Sequence, residues 1–242
     1  MDTSRIWHSV SGEGDPLVAL HPGGTDSRSM APLLENLPEY RWVVVDRPGH
    51  GRSPDVLGEW SFVDAADAVA AVLDELALGP AHVVGWSDGA IVGLLLALRR
   101  PDLVRTLVVG AGVFHRDGWR AGVLNGEAPE FLGDAYGEVS PDGREHWPVV
   151  VAKSARLHAL EPQLDPGDLG RLAMPVLVVA GDDDEVRFEH LVSMFEALPD
   201  GELAILPRAT HGALVEKPDL LARLIRDLHH PLGNGVAPIR RS

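Results

Sequence analysis

Short Val- and Leu-rich runs alternate along this chain with longer stretches of helical spacing. The runs fall at residues 16–20, 41–45, 81–85, 104–109, 175–180 and 202–206. Their apolar positions are nearly uninterrupted rather than alternating, as in strands buried on both faces of a parallel sheet. Between them lie helix candidates. Ser61 opens one in the manner of a capping box, with Asp64 three residues on, and apolar positions continue to Leu78 before Gly79-Pro80. A second starts near Asp88, carries Ile91, Leu94, Leu95 and Leu98, and ends before Pro101. Residues 189–198 and 218–228 fit two more. This rhythm predicts an α/β fold with a mostly parallel central sheet flanked by helices.

Residues 113–173 break the rhythm. The stretch is rich in Gly and Pro, holds a helix-like run at 145–160, and has no strand-like run of its own. It is too long for a plain loop. It reads as a small helical cap inserted into a core formed by residues 1–112 and 174–228, followed by a loose tail at 229–242.

Composition narrows the function. There are 36 acidic and 21 basic residues, a net charge of −15, which repels phosphate backbones, so nucleic acid is not an expected partner. The chain has no cysteine, which excludes disulfides, thiolate zinc sites and a cysteine nucleophile. The longest apolar run, 90–98, is too short to span a bilayer, so no membrane is expected as a partner. Met1 to Arg5 lack the apolar stretch of a signal peptide, and a cytoplasmic location is expected. The expected partner is a small-molecule substrate; oligomeric state is left open.

The chemistry centres on Gly85-Trp86-Ser87-Asp88-Gly89, a G-x-S-x-G pattern where a strand meets a helix. In that setting a serine is forced into a strained turn with its hydroxyl presented. Such a serine needs a histidine base oriented by a carboxylate. His211 follows the last strand-like run and precedes the final helix, on the same sheet edge as Ser87. His21 and His50 also end strands but lead into Gly-rich turns, where a structural role is expected. The acid is expected in Asp182-Asp183-Asp184-Glu185, after the intervening strand, and spacing does not choose among the four. That run lacks the register of a calcium loop, so no metal is expected. The amide of Asp88 and one from His21-Pro22-Gly23-Gly24 are the expected oxyanion donors; Pro22 has no N–H to give. No P-loop and no G-x-G-x-x-G fingerprint occurs, and no cofactor is expected.

These residues together resemble the α/β-hydrolase superfamily, over residues 5–228. The order Ser87, Asp184, His211 is the order that superfamily uses. The segment from Asp46 to Ser53, Asp-Arg-Pro-Gly-His-Gly-Arg-Ser, is similar to its D-x-x-G-x-G-x-S stretch. The resemblance implies Asp184 as the orienting acid, Gly23 as the oxyanion donor with Gly24 as second candidate, and a cap at the insertion. Pro22 stands where Gly is common, which could re-aim the Gly23 amide. Thr210 and Ala90 also replace commoner glycines. A closer similarity, to valacyclovirase-type amino-acid ester hydrolases, rests on the Gly85–Gly89 motif, Gly181-x-x-Asp184 and Arg187-Phe188.

That similarity implies that the Asp88 carboxylate pairs with a substrate's α-ammonium group. The plainer alternative is that Asp88 supplies only its amide, while its side chain caps a helix or meets solvent. Gly24, Asp88, Trp86 and Trp147 are the candidate substrate contacts, with Phe114, Trp119, Phe131, Tyr136 and Leu157 as further candidates from the insertion. The expected activity is that of a serine hydrolase acting on a small ester or related carbonyl compound through an acyl-enzyme. The same triad could serve perhydrolysis, C–C hydrolysis or lyase chemistry, or belong to a ligand-binding receptor with negligible turnover. The insertion is expected to set substrate choice and to hold no indispensable acid or base, His146 and His158 included.

Overall fold

All six apolar runs form strands, and a seventh strand joins them at one edge. The computed structural model describes residues 6–125 and 128–230. In chain order the strands are β1 (His8–Ser11), β2 (Pro16–Leu20), β3 (Arg41–Val45), β4 (Ala81–Trp86), β5 (Val104–Gly110), β6 (Val176–Asp183) and β7 (Gly201–Thr210). Their order across the sheet is β1-β3-β2-β4-β5-β6-β7. Only β1 runs antiparallel, against β3. It is a half-exposed edge strand with one large apolar residue, Val10, and so lacks the apolar run that marks the others.

Alternate residues of each central strand face opposite layers. Val18 and Leu20 pack with the helices α2 (Phe62–Leu76), α3 (Asp88–Arg99) and α7 (Phe188–Ala197). Leu17 and Ala19 pack on the other side with α1 (Ala31–Leu34), α8 (Ala213–Glu216) and α9 (Pro218–His229). With both faces covered, the central strands are mostly apolar, the buried His82 of β4 and Thr106 of β5 pairing with each other at 2.8 Å, and each fully buried Leu or Val contributes about 1.5–3 kcal/mol. Ser61 caps α2, its Oγ accepting from the amides of Val63 and Asp64. The helix stops two residues short of Leu78 because Ala77 turns left-handed, at φ +49°.

Between β5 and β6 lie α4 (Glu130–Gly137), α5 (Trp147–Leu160) and α6 (Pro166–Leu169). Polar bonds tie this segment to the sheet layer. Asp55 accepts from Lys153 Nζ at 2.7 Å and lies 2.9 Å from His146 Nε2. Glu161 accepts from the Phe62 amide at the start of α2. The tail was expected from 229, but His229 still belongs to α9 and its Nδ1 meets the Tyr40 hydroxyl at 2.8 Å. Residues 231–242 lie outside the described residues. No helix among the described residues is long and apolar enough to cross a membrane.

Two of the strands run past their apolar stretches. After a bulge between Gly181 and Asp183, Asp183 still pairs with Thr210. A Cβ on Gly181 would lie 2.0 Å from the Ala209 carbonyl oxygen, so this approach requires glycine. The acidic turn and the histidine loop are thereby held side by side at one end of the sheet.

Candidate active site

Ser87 sits between β4 and α3 with φ +54° and ψ −120°. A non-glycine residue in such a conformation costs on the order of 1–3 kcal/mol and persists only where its surroundings over-determine it. Here the Ser87 amide donates to the Gly110 carbonyl at 2.7 Å. Where β4 meets α3, a Cβ on Gly85 would lie 2.2 Å from the Gly89 oxygen, and where α3 meets β2, one on Gly89 would lie 2.0 Å from the Leu20 oxygen. Both glycines of the motif are therefore steric requirements of the turn.

His211 Nε2 lies 2.9 Å from Ser87 Oγ, and His211 Nδ1 lies 2.9 Å from Asp184 Oδ1. Among the four consecutive acids, Asp184 is the buried one. It also accepts from the amides of Gly181 and Val186. Asp182 instead accepts from the Ala209 amide, and Glu185 stays 3.8 Å from His211 Nε2. Burial alone would raise the Asp184 pKa, but His211 and the two amides outweigh it and hold the carboxyl below its ordinary value. Burial likewise works against a charged His211, yet the Asp184 hydrogen bond and charge hold its pKa above the usual imidazole value. An ionised Asp184 can only accept, so Nδ1 carries the proton. Neutral His211 then presents a bare Nε2 to the serine hydroxyl, as a general base requires.

The His211 loop is fixed from both sides. Thr210 donates through its amide and its hydroxyl to Glu216, each at 2.7 Å, so the residue that replaces a commoner glycine acts as a tie. Trp86 donates from Nε1 to the His211 carbonyl at 2.9 Å. Its ring is 1 % exposed and packs in the sheet core with Leu177 and Val179. The expectation that Trp86 contacts substrate is therefore corrected. Side chains of successive strand residues face opposite sheet faces, and that of residue 86 turns into the core.

Asp88 differs from both sequence-based expectations. Asp88 is 3 % exposed, and its carboxylate is paired within the protein rather than free in solvent. Oδ1 lies 2.7 Å from His158 Nε2, on α5, and Oδ2 lies 3.8 Å from an Arg47 guanidinium nitrogen. Burial would raise its pKa, but His158 and Arg47 hold it well below the usual carboxylate range. The His158 ring has acceptors at both nitrogens, with Nδ1 2.8 Å from the Ser154 carbonyl, which suits the doubly protonated form. Its pKa is raised despite burial. The negative charge meant for a substrate ammonium is thus already compensated by the protein. The insertion, expected to hold no indispensable acid or base, sends His158 to the neighbour of Ser87. The only sequence signal was a histidine on the helix-like run at 145–160.

Gly23 abuts the same carboxylate: a Cβ there would lie 2.5 Å from Asp88 Oδ2. The Asp88 amide stands at the first position of α3, where helix N–H groups have no intrahelical acceptor. Gly24 and Trp147 share a wall of a cavity of about 310 Å³, with Leu132, Tyr136 and Phe131. Leu157 lines a smaller one, of about 160 Å³, with Arg47, His50 and Trp60. Trp119 stands edge-on to the His211 ring at 5.9 Å between centroids, whereas Phe114 stacks on His190, at 4.1 Å. His21 and His50 are buried, and both pKa values are lowered by burial first and then by Arg47, that of His50 to about 4. Among the described residues no group of His, Asp or Glu side chains is arranged to hold a metal ion.

Residues 17–224 match the model of the alpha/beta hydrolase family. The chain is 28 % identical over 239 residues to a pimeloyl-[acyl-carrier protein] methyl ester esterase of Neisseria meningitidis, covering 86 % of this chain and 90 % of that one. It is 27 % identical over 269 residues to a 2-hydroxy-6-oxononadienedioate/2-hydroxy-6-oxononatrienedioate hydrolase of Comamonas testosteroni, covering 96 % and 92 %. Among solved structures, the enol-lactonase of Burkholderia xenovorans LB400 superposes with a TM-score of 0.74 at 22 % identity, covering 93 % of this chain and 96 % of that one. The match to the family model spans most of the sequence, and the seven-stranded sheet agrees with it: the chain belongs to the alpha/beta hydrolase family.

Proposed function

We propose that the protein is a serine hydrolase that cleaves a small-molecule carboxylic ester through an acyl-enzyme. The observation that carries this reading is the unbroken hydrogen-bonded line Ser87 Oγ, His211 Nε2, His211 Nδ1, Asp184 Oδ1, with both contacts at 2.9 Å. Ser87 attacks the ester carbonyl while His211 takes its proton. Asp184 holds the imidazole in the required tautomer and stabilises the imidazolium. The amides of Gly23 and Asp88 receive the oxyanion. His211 then returns the proton to the leaving alcohol, and water, activated by the same base, releases the acid.

Ester chemistry is favoured by the family and by relatives named for ester hydrolysis. The helices between β5 and β6 serve as a cap. The cavity beside Gly24 and Trp147, walled by Leu132 and Tyr136, suits an apolar substituent. Labelling with a fluorophosphonate probe, together with burst kinetics on a chromogenic ester, tests the reading. Wild type should label one site per chain and Ser87→Ala none. The variant should lose roughly 10⁴–10⁶-fold in kcat. A Ser87→Ala protein that keeps more than about a tenth of the activity removes the assignment.

A further inference from the structure

The carbonyl of Pro22 is crowded with donors. It accepts from the Arg47 guanidinium Nη2 at 3.0 Å and from Thr25 Oγ1 at 3.0 Å, and His21 Nδ1 lies 2.8 Å away. The tautomer of His21 follows from its partners. The backbone amide of Arg47 can only donate, and it reaches His21 Nε2 at 3.1 Å, so that nitrogen is bare. Nδ1 therefore carries the hydrogen and donates to Pro22 O. A carbonyl oxygen has two lone pairs. With three donors on it, this one is saturated.

The next amide is that of Gly23, and it belongs to the same peptide group. The cis bond among the described residues is Glu161–Pro162, so the Pro22–Gly23 peptide is trans. In a planar trans peptide the C=O and N–H point in opposite directions. Fixing the Pro22 oxygen on the Arg47 side fixes the Gly23 N–H on the other. Hydrogen bonds donated to the carbonyl also polarise the peptide and make its N–H a stronger donor.

Arg47 is itself well placed to hold this orientation. It is 3 % exposed, and while Nη2 bonds to Pro22 O, another guanidinium nitrogen faces Asp88 Oδ2 at 3.8 Å. One side chain thus bridges the carbonyl of one proposed oxyanion donor's peptide and the carboxylate of the other donor residue. A guanidinium fork can serve two such acceptors at once, whereas a lysine ammonium acts as a point charge. Pro22, which seemed able to misdirect the Gly23 amide, adds a fixed φ to a peptide whose oxygen is already held.

We propose that Arg47, with Thr25 and His21, is a positioning residue of the oxyanion hole: it locks the Pro22–Gly23 peptide so that the Gly23 N–H is preorganised for the transition state. The inference rests on the serine-hydrolase reading above and goes beyond it by assigning Arg47 a part in it. In this account Arg47 acts without lining the cavity beside Gly24, whereas Thr25 lines that cavity and acts through its hydroxyl on the Pro22 carbonyl.

The test compares Arg47→Lys and Thr25→Val with wild type on a p-nitrophenyl ester. Binding of a trifluoromethyl ketone, which forms a tetrahedral oxyanion adduct, and of an uncharged ground-state ester analogue is measured in parallel. A misdirected donor should cost Arg47→Lys about 10–100-fold in kcat and a similar factor in ketone affinity, with KM and ground-state affinity unchanged. In Arg47→Ala, added ethylguanidinium should restore kcat and ethylammonium should not. A folded Arg47→Lys protein with wild-type kcat and ketone affinity overturns the proposal, as does an equal loss of ketone and ground-state affinity. If Arg47→Lys does not fold, Thr25→Val decides by the same comparison. Lost ketone affinity at unchanged KM supports the role, and wild-type values refute it. A wild-type protein that takes no fluorophosphonate label and turns over no ester refutes the serine-hydrolase reading itself, and this role with it.

Discussion

Asp88, the residue after Ser87, holds His158 of α5 across 70 positions of sequence, with Oδ1 2.7 Å from Nε2. The contact pins a helix of the insertion to the turn that presents the serine. Removing one partner of a buried charge pair typically costs roughly 3–5 kcal/mol. The cost is smaller here, because Arg47 still faces the Asp88 carboxylate.

The first prediction concerns this pair and pH. The His158 pKa is raised in the fold, so its contribution is fully present below the ordinary imidazole value of about 6.5 and fades as pH rises through the raised value. The Asp88 pKa is lowered, so its contribution is present above the ordinary carboxylate value of about 3.9 and fades only as pH falls through the lowered one. The stability gap between wild type and His158→Gln should therefore be widest in mildly acidic solution and narrow toward alkaline pH. Thermal melts of both proteins across pH measure it; a gap that is constant with pH would speak against the ion pair.

With Asp88 already compensated, a substrate ammonium would gain no carboxylate partner next to Ser87. Wild type should show the same kcat/KM for an α-amino ester and for its N-acetylated counterpart. A marked preference for the free amine would mean that substrate displaces His158 from Asp88.

The acidic turn offers a contrast between neighbours. Asp184→Asn should cripple turnover, by a factor of order 10⁴, because the amide no longer holds the histidine in its working tautomer. Asp183→Asn should be mild, since Asp183 meets the histidine loop through backbone pairing with Thr210. Steady-state kinetics on the two purified variants decide it, and a crippled Asp183→Asn enzyme would contradict the geometry.

In the proposed mechanism His211 must be neutral to act as the base, and its pKa is raised. The acid limb of kcat/KM should accordingly lie above about 6.5, the unperturbed imidazole value. In Asp184→Asn the main influence raising it is gone and burial remains, so the limb should move to lower pH. A pH–rate profile of each protein, with an uncharged ester, provides the measurement. An acid limb below 6.5 in wild type would be inconsistent with the Asp184 contact.

Gly89→Ala should destabilise the whole turn. The new Cβ would sit 2.0 Å from the Leu20 backbone oxygen, and a backbone atom cannot move aside as a flexible side chain can. Overpacking of this kind typically costs about 1–3 kcal/mol, occasionally more. A lowered melting temperature with reduced fluorophosphonate labelling is the expected outcome, and wild-type stability would show that β2 and α3 are less tightly packed.

What the sequence determined was local. Continuous apolar runs betray strands covered on both faces, because a polar side chain on either face would need a buried partner, as His82 and Thr106 find in each other. The two glycines around Ser87 mark the close approach of α3 to β4, at Gly85, and to β2, at Gly89. The order of serine, acid turn and histidine follows the order of the strands that carry them. The weaker parts were those where local pattern carries little information. β1 has too few apolar residues to stand out from a loop.

Tertiary structure decided what lies between distant elements. Four consecutive acids are equivalent along the chain. Only the bulge after Gly181 and the pairing of Asp183 with Thr210 bring Asp184, 27 positions away in sequence, to His211. Trp86 is adjacent to Ser87 in sequence yet faces the opposite side of the sheet, because strand side chains alternate. The charge state of Asp88 depends on His158 and on Arg47, which come from different elements and meet it only in the folded chain. The carboxylate beside Ser87 reads from sequence as a free charge, and packing alone supplies the cations that neutralise it.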